Sequence, residues 1–286
     1  MSDKPLSIHD LPNSYIGRTV PRPNARRLLE GRGCFVDDIT LPRMAHVAFL
    51  RSPYAHAEIK SVDFAAAAES PGVIRVVEGR EMMEHCTPWV GVLSHLAGLK
   101  SAPQYALAVD RVRWQGEPVV AVVAQSRAQA EDALALVEVE YEELTPVVDM
   151  ETALDAVTPV IHPALGDNLA FERRVDAGDV DAAFAEADAV VEETFHYGRH
   201  TGVTLEPRVT LADYNAGDRK LTVHMSSQAP HMMKNIFAVH LGIDEDDVRV
   251  VCKDVGGSFG IKIHTYPDEM SAAALSVMLK LSLIHI

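Results

Sequence analysis

The segment from Val248 to Lys262 reads VRVVCKDVGGSFGIK, a β-branched run followed by a loop of three glycines around one serine and one phenylalanine. Gly256, Gly257 and Gly260 can take positive φ and let backbone approach a bound group closely. Phe259 is the odd member. A loop that only joined two elements has no use for a large apolar ring at its tip, so something is expected to pack against it, with ordinary core filling as the competing reading. The glycine spacing matches neither Gly-x-x-x-x-Gly-Lys-Ser/Thr nor Gly-x-Gly-x-x-Gly, so the loop does not read as a phosphate cradle. Other candidates are dispersed. His56, His162, His200 and His231 lack metal-ligand spacing and read as structural or solvated. Cys34, Cys86 and Cys252 are odd in number and far apart, which excludes a disulfide framework and a local zinc or iron–sulfur site; they read as buried, inert thiols.

The elements that must position the loop follow from periodicity and punctuation. Met44–Leu50 and Val73–Val77 read as strands, with a helical stretch over 63–70 that ends at Pro71-Gly72. Pro118–Ala124 is a buried strand, Ser126 with Gln129 forms a capping box opening a helix through Leu136, and Val137, Val139 and Tyr141 alternate in a further strand. Asp179 caps an alanine-rich helix ending near Ala187. Val190–Tyr197, Val209–Tyr214 and Leu221–Met225 alternate as strands. Pro230 suits the first turn of a helix stopped by Gly242, and Pro267-Asp268-Glu269 opens another that runs to about Lys280. The acidic run Asp244–Asp247 reads as a solvated turn. Residues 79–113 carry little pattern.

A chain of 286 residues, 48% hydrophobic and 23% charged, can bury one large or two ordinary cores. Its 41 acidic against 26 basic residues give a formal charge of -15, which argues against sequence-independent nucleic-acid binding. No apolar run reaches the roughly 18 residues of a membrane span, and the opening Met-Ser-Asp-Lys-Pro-Leu-Ser has no signal-peptide core. A cytoplasmic protein is the expectation.

Several stretches, in order, resemble the molybdenum-binding large subunit of the xanthine dehydrogenase, aldehyde oxidase and aerobic carbon monoxide dehydrogenase family. They are Gly31-Arg-Gly33 with Phe35-Val-Asp-Asp-Ile39 and Leu41-Pro42; Arg51-Ser-Pro-Tyr-Ala-His56; Gly116-Glu-Pro-Val119; Tyr141-Glu-Glu-Leu144; Leu205-Glu-Pro-Arg208; Ser226-Ser-Gln228; and Val255-Gly-Gly-Ser-Phe-Gly260. The resemblance covers nearly the whole chain and implies an α+β fold. An irregular arm (1–16) would lead to an a/b hammerhead domain (17–146), a linker (147–168) and the first part of a molybdopterin-binding domain (169–280).

The resemblance also implies chemistry. In this family a cofactor-bound hydroxide attacks an electrophilic carbon, hydride passes to a sulfido ligand, and the product oxygen comes from water. Gln228 matches the family's amide donor at the metal's oxo group, and Phe259 the ring beside it. Gly256, Gly257, Ser258, Phe259 and Gly260 match the backbone that approaches the cofactor, a molybdenum–molybdopterin in its plain or cytosine dinucleotide form. No side chain here is expected to ligate the metal. Ser258 replaces a glycine of the usual pattern. Ile263 stands where purine-hydroxylating members carry a glutamate, which points to aldehydes, N-heterocycles or carbon monoxide instead of xanthine. The family implies an iron–sulfur small subunit and an FAD medium subunit as partners, in a dimer of heterotrimers, and a chain more than twice this long with its general-base glutamate in the second half. The chain therefore reads as a fragment, inactive alone. Leu281–Ile286 resembles a peptide encoded by a sequencing-library adapter and is read as a non-native tail, set aside from fold reasoning. Without the resemblance, Gln228 reads as a cap of the helix at Pro230; Glu206 with Arg208 reads as a structural ion pair, and the competing reading of the whole is a cofactor-free binding or assembly module that retains the fold without catalysis.

Overall fold

The computed structural model of the chain describes residues 15–91 and 96–286, and counts and absences below refer to these. The arm expected over 1–16 falls outside them but for Tyr15 and Ile16. Contacts group the chain into two units, 1–34 and 35–286. The first carries a short helix α1 (Ala25–Leu29), flanked by an Arg26–Glu30 ion pair of 2.7 Å.

The second unit runs β1 (Ala45–Arg51), β2 (Ala57–Asp63), α2 (Ala65–Ala68), β3 (Val73–Glu78), α3 (Gly79–Met82), β4 (Arg111–Val112), β5 (Pro118–Ala124), α4 (Arg127–Leu134) and β6 (Glu138–Glu143). It continues with α5 (Val180–Ala185), β7 (Thr210–Asn215), β8 (Lys220–Met225), α6 (Pro230–Leu241), β9 (Val248–Val251), α7 (Pro267–Leu279) and β10 (Ser282–His285). A mixed seven-stranded sheet has the order β3-β5-β1-β10-β7-β8-β9, and an antiparallel three-stranded sheet the order β4-β2-β6. The architecture is α+β.

β5 is apolar throughout because both of its faces are covered. Val120, Val122 and Ala124 join a core with Ala130 and Ala133 of α4, while Ala121 and Val123 face a second core with Val47, Phe49, Met82 and Trp89. Each buried valine contributes roughly 1.5 to 3 kcal/mol of transfer free energy. Ser126 Oγ accepts the Gln129 N–H as an N-cap. The rest of the box differs from expectation, since Gln129 Oε1 accepts the Ser126 hydroxyl and not the Ser126 backbone N–H. α4 ends at Leu134, and β6 pairs with β2 in the smaller sheet, so the strand–helix–strand unit bridges two sheets.

α6 starts with Pro230 and stops at Gly242, whose φ of 65° forms a left-handed C-cap. α7 packs on β7, β10 and α6, and its residues from Pro267 to Ser276 are all buried. The small side chains of Ala272, Ala273 and Ala274 permit that close approach.

One expectation needs correction. Val190–Tyr197 forms no strand; it is irregular and exposed, because no neighbouring backbone lies alongside to complete a ladder. Ser282–His285, within the stretch read as a non-native tail, forms β10 in the middle of the large sheet, parallel to β1 and antiparallel to β7, with Leu283 and Ile284 buried. Alternating apolar residues suit a strand whatever their origin, and that slot joins the strands on either side of residues 147–168. By contacts alone, 35–286 forms one unit.

Candidate functional site

The loop after β9 is fastened at both ends to one residue. Glu206 N–H donates to the Gly256 carbonyl (3.2 Å), and Gly256 N–H donates to Glu206 Oε2 (2.7 Å). Lys262, 1% exposed, donates to the same Oε2 at 2.9 Å and to the Glu206 carbonyl at 3.0 Å. Glycine is required at 256, where a Cβ would fall 2.4 Å from Glu206 Cβ. The loop's far end also meets the lead-in to α6. Gln228 N–H donates to the Lys262 carbonyl (2.9 Å), and Gly260 N–H donates to Gln228 Oε1 (3.1 Å). An N–H needs an oxygen acceptor, so this bond orients the side-chain amide and leaves its NH2 end unengaged. Gln228 therefore does not cap α6, whose first turn carries no side-chain cap; Ser227 Oγ instead accepts the Ala229 N–H.

Phe259 sits in the left-handed region at φ 48° and is 76% exposed. That conformation is costly for a bulky residue and is held by its flanks: Gly257 (φ 96°), Gly260 (φ 90°) and an Ile261 N–H bond to the Ser258 carbonyl. Core filling is excluded for this ring. The backbone of 202 lies under it, where a Cβ on Gly202 would come within 2.9 Å of Phe259 Cβ. The N–H groups of Gly257, Ser258 and Phe259 make no hydrogen bond within the chain, nor does the Ser258 hydroxyl. The loop thus offers three successive amide donors beside an open aromatic ring.

Below the loop lies a second ionic group. Arg208 holds Asp268 through two bonds of 2.7 Å, reaches Glu269 at 3.3 Å and lies over the Tyr266 ring at 3.8 Å. Arg51 adds a 2.7 Å bond to Asp268. Burial alone would raise the Asp268 pKa, but the Arg208 bonds outweigh it and hold the carboxyl below the usual range. Burial pushes Glu269 up to about 7, against the pull of Arg208. Tyr266 OH donates to the Ile261 carbonyl at 2.7 Å, linking this group to the loop.

Gln228 and Gly256, Gly257, Ser258, Phe259 and Gly260 are therefore brought together. Glu206 and Arg208, expected to pair with each other, do not: their partners are Lys262 and Asp268, because each must neutralise a different buried charge. Lys262 escaped sequence reasoning as a functional residue; the one signal available was a lysine directly after an apolar glycine loop. Cys86 is buried, with its thiol pushed up to about 12 by burial, whereas Cys34 and Cys252 are only partly buried, a correction to the expectation for all three. Among the described residues, no cluster of His, Cys, Asp or Glu is arranged to hold a metal ion, and no helix is long and apolar enough to cross a membrane. A cleft of about 750 Å³ lies away from the loop tip, lined by Lys100, Glu117, His162 and Tyr266 among others.

Two family models match the chain. One, described as the aldehyde oxidase and xanthine dehydrogenase a/b hammerhead domain, matches residues 30–145; the other, the molybdopterin cofactor-binding domain, matches 161–282. The nicotine 6-hydroxylase large subunit of Paenarthrobacter nicotinovorans is 40% identical over 93% of this chain and 32% of its own length. The carbon monoxide dehydrogenase large chain of Hydrogenophaga pseudoflava is 34% identical over 88% of this chain and 32% of its own. The crystal structure of quinoline 2-oxidoreductase from Pseudomonas putida 86 aligns with a TM-score of 0.88 at 36% identity, over 94% of this chain and 34% of that one. The chain spans about a third of the length of these relatives.

Proposed function

The chain belongs to the molybdenum-binding large-subunit family of xanthine dehydrogenases, aldehyde oxidases and carbon monoxide dehydrogenases, and from that premise we propose that the Gln228 and Gly256–Gly260 elements form one wall of a molybdenum-cofactor site. The observation that carries this is the donor set: three adjacent unpaired amides, a side-chain NH2 oriented by Gly260, and an exposed ring on the same loop. These residues fit an anionic, oxygen-rich group, for which fixed N–H dipoles are the natural partners. When bound, the molybdenum cofactor supplies a two-electron oxidation with water as oxygen source. Gly257, Ser258 and Phe259 would hold it through their N–H groups, Gln228 would donate to an oxygen at the metal, and the Phe259 ring would exclude water.

The substrate class favoured is an N-heterocycle. Two of the relatives are named for nicotine and quinoline, both nitrogen heterocycles, and Ile263 gives the loop's exit an apolar side chain where a purine binder needs a carboxylate. Aldehydes and carbon monoxide are the alternatives. Electrons would leave to partner subunits carrying iron–sulfur clusters and FAD, since the three scattered cysteines provide no cluster ligands, and the cofactor would be the plain molybdopterin or its cytosine dinucleotide form. The 286-residue chain alone is expected to be inactive, consistent with its covering a third of its relatives' length.

The test is to purify the locus product with the proteins encoded beside it, measure molybdenum, and incubate with quinoline, nicotine, an aldehyde and carbon monoxide in ¹⁸O-labelled water. Label in a hydroxylated heterocycle is the expected result. A preparation without molybdenum that oxidises none of the four would overturn the assignment and favour a cofactor-free binding module. Turnover by the isolated chain would overturn the inactivity claim.

A further inference from the structure

We propose that Glu206 and Lys262 are a positioning pair, a buried clamp that sets the register between the glycine loop and Gln228 without touching cofactor or substrate. The proposal rests on the reading of this loop as a cofactor wall. Glu206 alone engages both ends of the loop: its N–H donates to the Gly256 carbonyl, its carboxylate accepts the Gly256 N–H, and its carbonyl and carboxylate each accept a bond from the Lys262 ammonium. Lys262 then passes that position on. Its carbonyl accepts the Gln228 N–H at 2.9 Å and the Ser227 hydroxyl at 3.2 Å, so the lysine side chain locates the loop against Glu206 while its backbone locates Gln228 against the loop. The residues between these anchors are those whose amides are unpaired and whose ring is exposed.

The pair is suited to this task by its burial. A lysine that is 1% exposed has no water to fall back on, so its ammonium is confined to the Glu206 oxygens, whereas a surface lysine would wander. Thr204 Oγ1 donates to the Glu206 carbonyl at 2.5 Å and fixes the other side of the anchor. Outer partners of this kind commonly govern cofactor retention as strongly as direct contacts do.

The test uses the locus product purified with its neighbouring proteins. Glu206→Gln alone would strand the buried Lys262 ammonium without its counter-charge, so both charges are removed together. The double variant Glu206→Gln/Lys262→Met removes both charges, leaves no lone buried ion, and cuts the tie to the loop's exit. For it we expect molybdenum per chain to fall about tenfold. We also expect hydrogen exchange to accelerate at the Gln228 and Gly260 amides while those of β5 keep their protection. If the double variant holds molybdenum as well as the unsubstituted protein and exchanges at the same rates, the clamp is refuted. Loss of molybdenum together with faster exchange throughout β5 also refutes it, since the pair would then be a general core staple. An unsubstituted protein without molybdenum would sink the proposed function instead, and the exchange rates at Gln228 and Gly260 would still judge the clamp.

Discussion

β5 and the segment Val190–Tyr197 both read as strands in the sequence, one apolar throughout and one alternating, and they meet opposite fates. Val122 is completely buried between two cores, with β1 and β3 hydrogen-bonded on its two sides. Val191 is 87% exposed, with no strand beside it. Alternation earns a strand only where a second backbone and a covering layer exist to receive it. The glycine loop resembles the exposed case, with Phe259 open, yet its two ends are fastened like the buried one.

Substitutions of matched chemistry probe this contrast. Val122→Asp places an unpaired charge in a dry layer and should destabilise the chain by ~4 kcal/mol or more, whereas Val191→Asp should stay within ~0.5 kcal/mol in urea titrations. Equal effects at the two positions would mean that 190–197 is buried in solution. Arg208→Met leaves Asp268 with only Arg51 as a close cationic partner, and a loss of about 3 kcal/mol is expected. A near-neutral result would show that the ionic group under α7 is not part of the rigid framework.

The next effect depends on pH. Glu117 is buried, accepts the Arg113 N–H at 2.6 Å, and has its pKa pushed up by burial from 4.5 to about 7. Below pH 4.5 both the folded and unfolded chains hold the proton, and the stability it contributes is fully present. Between 4.5 and 7 the unfolded chain releases the proton first, so stability falls as pH rises, and above 7 the loss is complete. Glu117→Gln cannot titrate, and its stability should decline less across that window, by on the order of 2 kcal/mol; parallel curves would refute the shift. The smallest effect concerns the loop. Phe259→Gly relieves the left-handed strain and loses little burial, so thermal unfolding should show a gain of about 0.5 kcal/mol, the reverse of what truncating a framework aromatic does.

Much of the framework was legible in the residues themselves. Pro118–Ala124 was bounded correctly, and Pro230 with Gly242 bracketed α6, because proline at N1 and glycine at C′ act locally. The contents of the candidate site were legible as a loop, through its glycines, and as a pairing with Gln228 only through family resemblance. Glu206 with Lys262, and Arg208 with Asp268, were not legible, since nothing in their spacing says which buried charge will meet which. β10 was missed for a related reason: a short apolar tail has no local mark of the slot it will fill.

By itself, then, the sequence determined the local matters: turns, caps, helix starts, the β-branched strands and a flexible glycine loop with a ring at its tip. Each depends on groups within a few residues of one another. Tertiary structure alone decided that β10 lies between β1 and β7, that Val190–Tyr197 stays without a partner, and that one glutamate fastens both ends of the loop. The physical reason is that a ladder or a buried charge is satisfied only by a group elsewhere in the chain, and its identity is settled when the chain packs.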